Sequence, residues 1–317
     1  MKNDSEELKE IIERKLSTSV YNIEPVTGGL VHFVYKITTG KGICFAKIRK
    51  SYFSALPNIP TKPEFIRYEK EAIDILSKIE PSLFPKLLAY IPNKHLLILS
   101  DIMPERTTLE MKLNARTIKK ADAYNLGKIL ASVHKKLSYV KKKIRENEDE
   151  EFYNQLLFYR FGYHEHLILN ELITNLKKLP RQPILGDLSP KNIGVSYKGK
   201  FTFCDFENFH NGNTISDVGF LGGSIIIHSI DNYPSAKNLL QSFFDGYSSV
   251  IKLEIEDQKL KKTVLGICLY RLENLVIPYD ISISQKRKKD KASSIKKILY
   301  KNKISWNELV KLVTYYN

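Results

Sequence analysis

Four oxygen-bearing side chains, Asp187, Asn192, Asp205 and Glu207, fall along one stretch, ILGDLSPKNIGVSYKGKFTFCDFENFHNGNTISDVG, which covers residues 184–219. It reads as an apolar approach, a polar turn, a β-hairpin and a second acidic turn. Residues 192–196 are expected to pair with 200–204 through the turn Tyr197-Lys198-Gly199. Oxygen ligands on two turns joined in this way can converge on one point. That point suits Mg²⁺ and a phosphate, because Mg²⁺ takes one or two carboxylates plus phosphate oxygens in preference to an all-protein cage. Asp187, ahead of Asn192, has room to face a hydroxyl acceptor instead of the metal. Asp and Asn are also the ordinary residues of turns, so this reading rests on spacing, hairpin and flanking apolar strands together.

A second chemical feature is Lys47. The run Cys44-Phe45-Ala46-Lys47-Ile48 sets one lysine in an apolar strand, where a charge is costly unless it has a partner. Short alternating segments at 21–25, 31–37 and 43–48, joined by Gly turns, predict an antiparallel sheet. In the first of those turns, Thr27-Gly28-Gly29, bare backbone N–H groups can meet a nucleotide phosphate; a plain hairpin is the other reading. Leu8, Ile11, Ile12 and Leu16 recur at helical spacing, so residues 5–16 predict an amphipathic helix covering the sheet. A proline-containing loop at 50–62 leads to a helix over 64–79, and strands at 84–90 and 96–99 follow.

From residue 121 the pattern turns helical. Tyr124, Leu126, Gly127, Ile129, Leu130, Val133 and His134 share a stripe, and His134 reads as a hydrogen-bonded core histidine. Residues 141–151 are a charged, exposed connection. Residues 152–179 are helical in two pieces, broken by Pro180 and Pro183. Further helices are expected over 220–229, 236–250, 258–277 and 295–315, and Ser305-Trp306-Asn307-Glu308 is a capping box that starts the last. His164 and His166 have no Cys or carboxylate at ligand spacing, which argues against zinc.

The whole chain sets bounds. Its 317 residues suffice for two lobes with a substantial core. No apolar run approaches the ~20 residues of a spanning helix and the first residues are not a signal sequence, so a cytoplasmic protein without a membrane partner is expected. Three scattered cysteines give neither a disulfide framework nor metal spacing. The net charge of +15 admits nucleic acid as a partner, but the basic residues do not interleave with aromatics as in an RNA-binding motif, so that partner is not favoured. The basic runs at 135–145 and 285–303 read first as solvated faces.

Gly186-Asp187-Leu188-Ser189-Pro190-Lys191-Asn192, an apolar strand and Cys204-Asp205-Phe206-Glu207 together resemble the catalytic and metal loops of the aminoglycoside phosphotransferase and choline kinase superfamily. Within it the chain is most similar to 5-methylthioribose kinases, through Asp205-Phe206-Glu207 followed by Asp217-Val218-Gly219. The resemblance implies an α+β, bilobal, protein-kinase-like fold: a small antiparallel-sheet N-lobe at 1–102 and a larger, mostly helical C-lobe at 103–317. It implies ATP and Mg²⁺ as cofactors, with Gly28, Gly29 and Lys47 at the phosphates and Asn192, Asp205 and Glu207 at the metal. Asp187 is then the catalytic residue, and Ser100 and Ile102 lie in a hinge that binds adenine through its backbone. Lys47 would pair with a glutamate of the next helix. Glu71 is expected, since Arg67 and Glu71 match an Arg-x-x-x-Glu of methylthioribose kinases, with Glu69 the alternative. Asp217 would anchor the catalytic loop, and Arg271 falls where those kinases carry the first of two arginines near the sugar. Leu185 and Ser189 stand where the superfamily often has histidines. Asn192 and Leu272 also depart from the methylthioribose kinase pattern.

The function expected is transfer of the ATP γ-phosphate to a hydroxyl of a small molecule, a sugar or amino alcohol, with a methylthioribose-like acceptor favoured. Two alternatives stay open: a kinase of a protein or RNA-bound target, and a nucleotide-binding module without catalysis.

Overall fold

The computed structural model describes residues 2–103, 105–142, 144–145, 148–273, 279 and 281–315. The end of the helix expected over 258–277, beyond residue 273, and residues 143, 146 and 147 of the expected charged connection lie outside these. The chain divides into two compact units, 1–106 with 202–207, and 107–201 with 208–317. The first boundary was expected after residue 102, and the return of 202–207 to the first unit was not foreseen.

The first unit is built on a five-stranded antiparallel sheet of β1 (Val20–Val26), β2 (Phe33–Thr39), β3 (Gly42–Ile48), β4 (Leu87–Ile91) and β5 (Leu96–Ser100) in the order β1-β2-β3-β5-β4. Alternation decides the faces. Cys44 and Ala46 of β3 turn one way and join Leu8, Ile11 and Ile12 of helix α1 (Lys2–Leu16) in a core with Ile37 and Ile98. Lys47, between Ala46 and Ile48, must point to the other face. There lies α2 (Ile66–Ile79), entered through a 3₁₀ turn at Pro63–Phe65, with Ile66, Glu69, Ile73 and Leu76 on its buried side. Phe84 packs edge-on against Phe206, with ring centroids 5.5 Å apart, and so secures the returning segment 202–207.

The second unit is mostly helical: α3 (Leu109–Asn114), α4 (Lys120–Leu137), α5 (Asp149–Phe161), α6 (Leu167–Lys177), α7 (Thr214–His228), α8 (Tyr233–Ser248), α9 (Gln258–Glu273), α10 (Gln285–Ile298) and α11 (Trp306–Thr314). The stretch expected in two pieces is α5 and α6. The last expected helix, over 295–315, is instead the end of α10 and all of α11, and the Ser305 hydroxyl caps the latter by accepting Glu308 N–H at 3.2 Å. Strand β6 (Gln182–Ile184) pairs with β9 (His210–Gly212), and the two leads of the predicted hairpin are β7 (Ile193–Val195) and β8 (Phe201–Phe203). Its turn closes through Ser196 N–H on Lys200 O at 2.9 Å.

The basic run at 285–303 is partly structural. Lys288 and Lys291 of α10 are buried, Lys291 Nζ donates to Tyr315 O at 2.8 Å, and Arg287 pairs with Asp231. Among the described residues no helix is long and apolar enough to cross a membrane.

Candidate active site

In the first unit, Lys47 is 7% exposed and its ammonium meets two carboxylates, Glu69 Oε1 at 2.5 Å and Asp205 Oδ1 at 2.7 Å. Burial alone would push this lysine down, but Asp205, Glu69 and Glu207 together raise it far above its ordinary range, so it stays charged. The expected partner Glu71 is corrected to Glu69. Successive helical residues turn by about 100°, so positions two apart face nearly opposite ways. Glu69 stands three residues after Ile66 and four before Ile73, on the buried stripe of α2, whereas Glu71 is only half-buried. Glu69 Oε1 also accepts Phe206 N–H at 3.2 Å, which ties the acidic turn to the helix.

Asp205 takes φ +68°, the left-handed conformation that a short polar side chain tolerates, and its carboxylate is 30% exposed. Glu207 Oε2 lies 3.0 Å from His32 Nδ1, and His32 is also 3.9 Å from Glu69. His32, buried at 4%, was not anticipated. Donor atoms of His32, Glu69 and Asp205 lie within 4.8 Å of one another. Because the Lys47 ammonium already bonds both carboxylates, this group is an ion-pair cluster and not a three-ligand metal cage.

The turn at Gly28, where φ is +91°, and Gly29 borders a cavity of about 270 Å³ that His32 and Ser54 also line. The 50–62 loop backs this turn. Ser54 Oγ donates toward Gly29 O at 3.1 Å and Leu30 O at 3.2 Å, and Ala55 N–H donates to Leu30 O at 3.1 Å. Ser100 ends β5, its N–H donating to Lys86 O at 2.9 Å and its hydroxyl accepting Lys86 N–H at 2.8 Å. Ile102 follows in a bend where Asp101 accepts Met103 N–H at 2.9 Å.

In the second unit, Asp187 leaves β6 on a tight loop and its Oδ1 accepts Ser189 N–H at 3.0 Å. Gly186 makes the turn possible: its φ is +81°, and a Cβ there would stand 1.9 Å from Asn208 O. Asn192 closes the following 3₁₀ turn, is 7% exposed, and donates its backbone N–H to Ser189 O at 2.8 Å. The loop is held from beneath by Asp217, fully buried, whose oxygens accept Leu185 N–H at 2.9 Å and Gly186 N–H at 3.0 Å. His134 Nε2 is 3.1 Å from the same carboxylate and its Nδ1 is 2.8 Å from Tyr247 Oη, so this histidine is a hydrogen-bonded core residue. Leu185 is buried at 1% and fills core volume.

Two arginines complete the loop's surroundings. Arg160 donates to Gly186 O, and Arg271 Nη2 donates to Ser189 Oγ at 2.8 Å. Burial pushes the Arg160 guanidinium down, and Asp187 opposes this. Arg160 gave no signal in the sequence, because α5 precedes the loop without any motif.

The chain thus brings Lys47, Asp205 and Glu207 together in one unit and Asp187 with Asn192 in the other, and it leaves Glu71 out. No family model and no curated protein sequence matches the chain. Solved structures do. A protein assigned as a fructosamine-3-kinase from Thermobifida fusca is 15% identical over 92% of this chain and 98% of its own, with a TM-score of 0.56. Choline kinase LicA from Streptococcus pneumoniae is 15% identical over 99% of this chain and 100% of its own, with a TM-score of 0.55. A spectinomycin phosphotransferase solved with ADP and spectinomycin is 14% identical over 97% of each chain, with a TM-score of 0.53. With its five-stranded antiparallel N-terminal sheet and larger helical C-terminal part, the chain has the α+β kinase-like fold of these proteins.

Proposed function

We propose that the protein is a small-molecule kinase that transfers the γ-phosphate of ATP to a hydroxyl group. The observation that carries the reading is the buried Lys47 held by both Glu69 and Asp205, on a fold solved elsewhere with ADP. A structural lysine needs one carboxylate; a lysine poised for phosphates needs a carboxylate to orient it and another that can turn to a metal.

Lys47 and the Gly28-Gly29 turn bind the nucleotide phosphates, and Ile102 borders the adenine. Asp205, Glu207 and Asn192 offer hard oxygen donors, and the part-exposed Asp205 carboxylate fits Mg²⁺. Bound there, Mg²⁺ supplies charge neutralisation on the phosphates. Asp187 orients the acceptor hydroxyl and takes its proton as the oxygen bonds to the γ-phosphorus and the bond to the ADP oxygen breaks. Phosphoryl transfer asks little covalent chemistry of the protein, so positioning and charge supply most of the rate. A cytoplasmic location, where ATP is held, belongs to the same reading.

The acceptor is a small hydroxylated molecule of the sugar or amino-alcohol class. Methylthioribose belongs in the test panel on the likeness of Asp205-Phe206-Glu207 and Asp217-Val218-Gly219, although the Glu71 part of that likeness does not extend to the lysine's partner. The test is transfer from Mg-ATP across sugars, amino alcohols and aminoglycosides, with Asp187→Ala as control. Turnover of an acceptor that disappears in the control supports the reading. Nucleotide binding with no transfer to any acceptor overturns it.

A further inference from the structure

Arg271 of α9 is 6% exposed, yet among the described residues no carboxylate lies within ion-pairing distance of it. Its Nη2 is bonded to the Ser189 hydroxyl at 2.8 Å, while its Nε is buried without any hydrogen-bond partner. Its guanidinium carbon stands among aromatic rings, 3.9 Å from the centroid of Tyr279, 5.0 Å from that of Phe220 and 5.4 Å from that of Tyr270. Phe220 carries a second guanidinium, Arg160, at 4.8 Å, and Arg160 is itself buried. Two guanidinium groups therefore flank one ring beside the loop of Asp187.

A buried charge without a counterion is costly, and evolution of a merely structural contact to Ser189 would be served by an uncharged donor. Arginine is suited instead to planar, forked recognition of an anion, and the surrounding rings limit the rotamers open to it. The link to the reacting centre is short. Ser189, which receives Nη2, also donates its N–H to Asp187 Oδ1 at 3.0 Å. Glu110 Oε1 is engaged instead by the Tyr279 hydroxyl, at 3.4 Å.

We propose that Arg271 is the anion-recognising residue of the acceptor site, and that the acceptor is a hydroxylated small molecule bearing a carboxylate. This rests on the kinase reading for the word acceptor, and on Arg271 alone for the charge. A cationic acceptor, as choline or an amino sugar is, would place its ammonium against two guanidinium groups. The carboxylate is the fitting anion because it matches the fork formed by Nε and Nη2.

The test is calorimetric titration of the full chain with three probes of one carbon skeleton: gluconate, glucitol and glucosamine. The wild-type protein should bind gluconate at least about tenfold more tightly than either of the others, the factor of one charge-assisted hydrogen bond. Arg271→Gln should abolish that preference, Arg271→Lys should keep part of it, and ADP affinity in both variants serves as the measure of intact folding. Equal or tighter binding of glucosamine or glucitol by the wild type, or a gluconate preference that survives in Arg271→Gln, overturns the proposal. Transfer from Mg-ATP is measured on the same samples. Arg271-dependent gluconate binding without transfer to any probe would retain the anion site and remove the kinase reading. Transfer to glucitol or glucosamine with no gluconate preference would do the reverse.

Discussion

Lys47 of β3 bonds Glu69 of α2 at 2.5 Å, and Glu71, one half-turn further along the same helix, takes no part in that pair. Glu69 is 1% exposed and makes a second bond to Phe206 N–H, so one carboxylate fixes both the lysine and the acidic turn. Glu69→Ala should lower kcat/KM by about a hundredfold or more and destabilise the fold by about 3 kcal/mol, the penalty of leaving a buried charge short of a partner. Glu71→Ala should stay within a few-fold of wild type. Steady-state kinetics and urea unfolding of the two variants decide it; the opposite ranking would restore Glu71 as the partner.

Asp217 holds the loop that leads to Asp187 through two backbone hydrogen bonds. Asp217→Ala leaves Leu185 N–H and Gly186 N–H buried without their acceptor. Each such loss costs about 1–3 kcal/mol, so a stability loss of about 3 kcal/mol and a fall in kcat are expected. If the nucleotide is held by Lys47 and the Gly28-Gly29 turn, as proposed, its affinity should change little. If calorimetry shows ADP affinity lost with an unchanged melting curve, Asp217 has a role in nucleotide binding instead.

Ser54 braces the glycine turn from a loop that itself carries no chemistry. Removing its hydroxyl in Ser54→Ala loses the part-buried contacts to Gly29 O and Leu30 O. Neutral hydrogen bonds of this kind are worth about 1 kcal/mol, so KM for ATP should rise about fivefold with kcat nearly constant. A fall in kcat at unchanged KM would mean that the turn has no part in holding the phosphates.

His210 gives the fold an acid limit. It is buried beside β6, with its Nδ1 2.7 Å from Asn208 O, and burial pushes its imidazole down to about 3 from an ordinary 6.5. His228 is pushed down to about 4 by burial and by the nearby Arg271. Both are neutral in the folded chain while the unfolded chain takes up protons near 6.5. Their contribution is therefore whole above that value and is lost as the pH falls toward 4 and 3. Each should cost about 2 kcal/mol of stability on going from about pH 7 to about pH 5. Urea unfolding of His210→Gln, whose amide can still donate to Asn208 O, should show roughly half the wild-type loss over that range. An undiminished loss would assign the acid sensitivity to other groups.

Lys47 behaves in the opposite sense. Its ammonium is held charged by Asp205, Glu69 and Glu207, so its contribution is complete below the ordinary lysine range and is lost only at more alkaline pH still. An activity profile between about pH 6 and 9 should carry no ionisation that Lys47→Arg shifts. A limb in that range that moves in the variant would show the ammonium to be less firmly held.

Features that depend on near neighbours are legible along the chain. Alternation made β3 a strand and placed Lys47 opposite Ala46; the tripeptide Tyr197-Lys198-Gly199 closed its hairpin; Ser305 and Glu308 started α11. The motif spacing singled out Asp187, Asn192, Asp205 and Glu207. Even Glu69 was within reach, because it shares the apolar stripe of Ile66 and Ile73 and Glu71 does not. Tertiary structure alone decided which groups complete the constellation. His32 meets Glu207, Arg160 meets Gly186, and Arg271 meets Ser189 across 82 positions of chain. It also decided that 202–207 packs with the first unit through Phe84. The physical reason is that periodicity reports which face of an element is buried, whereas the partner of a buried charge is chosen by how separate elements pack, and no local spacing encodes that choice.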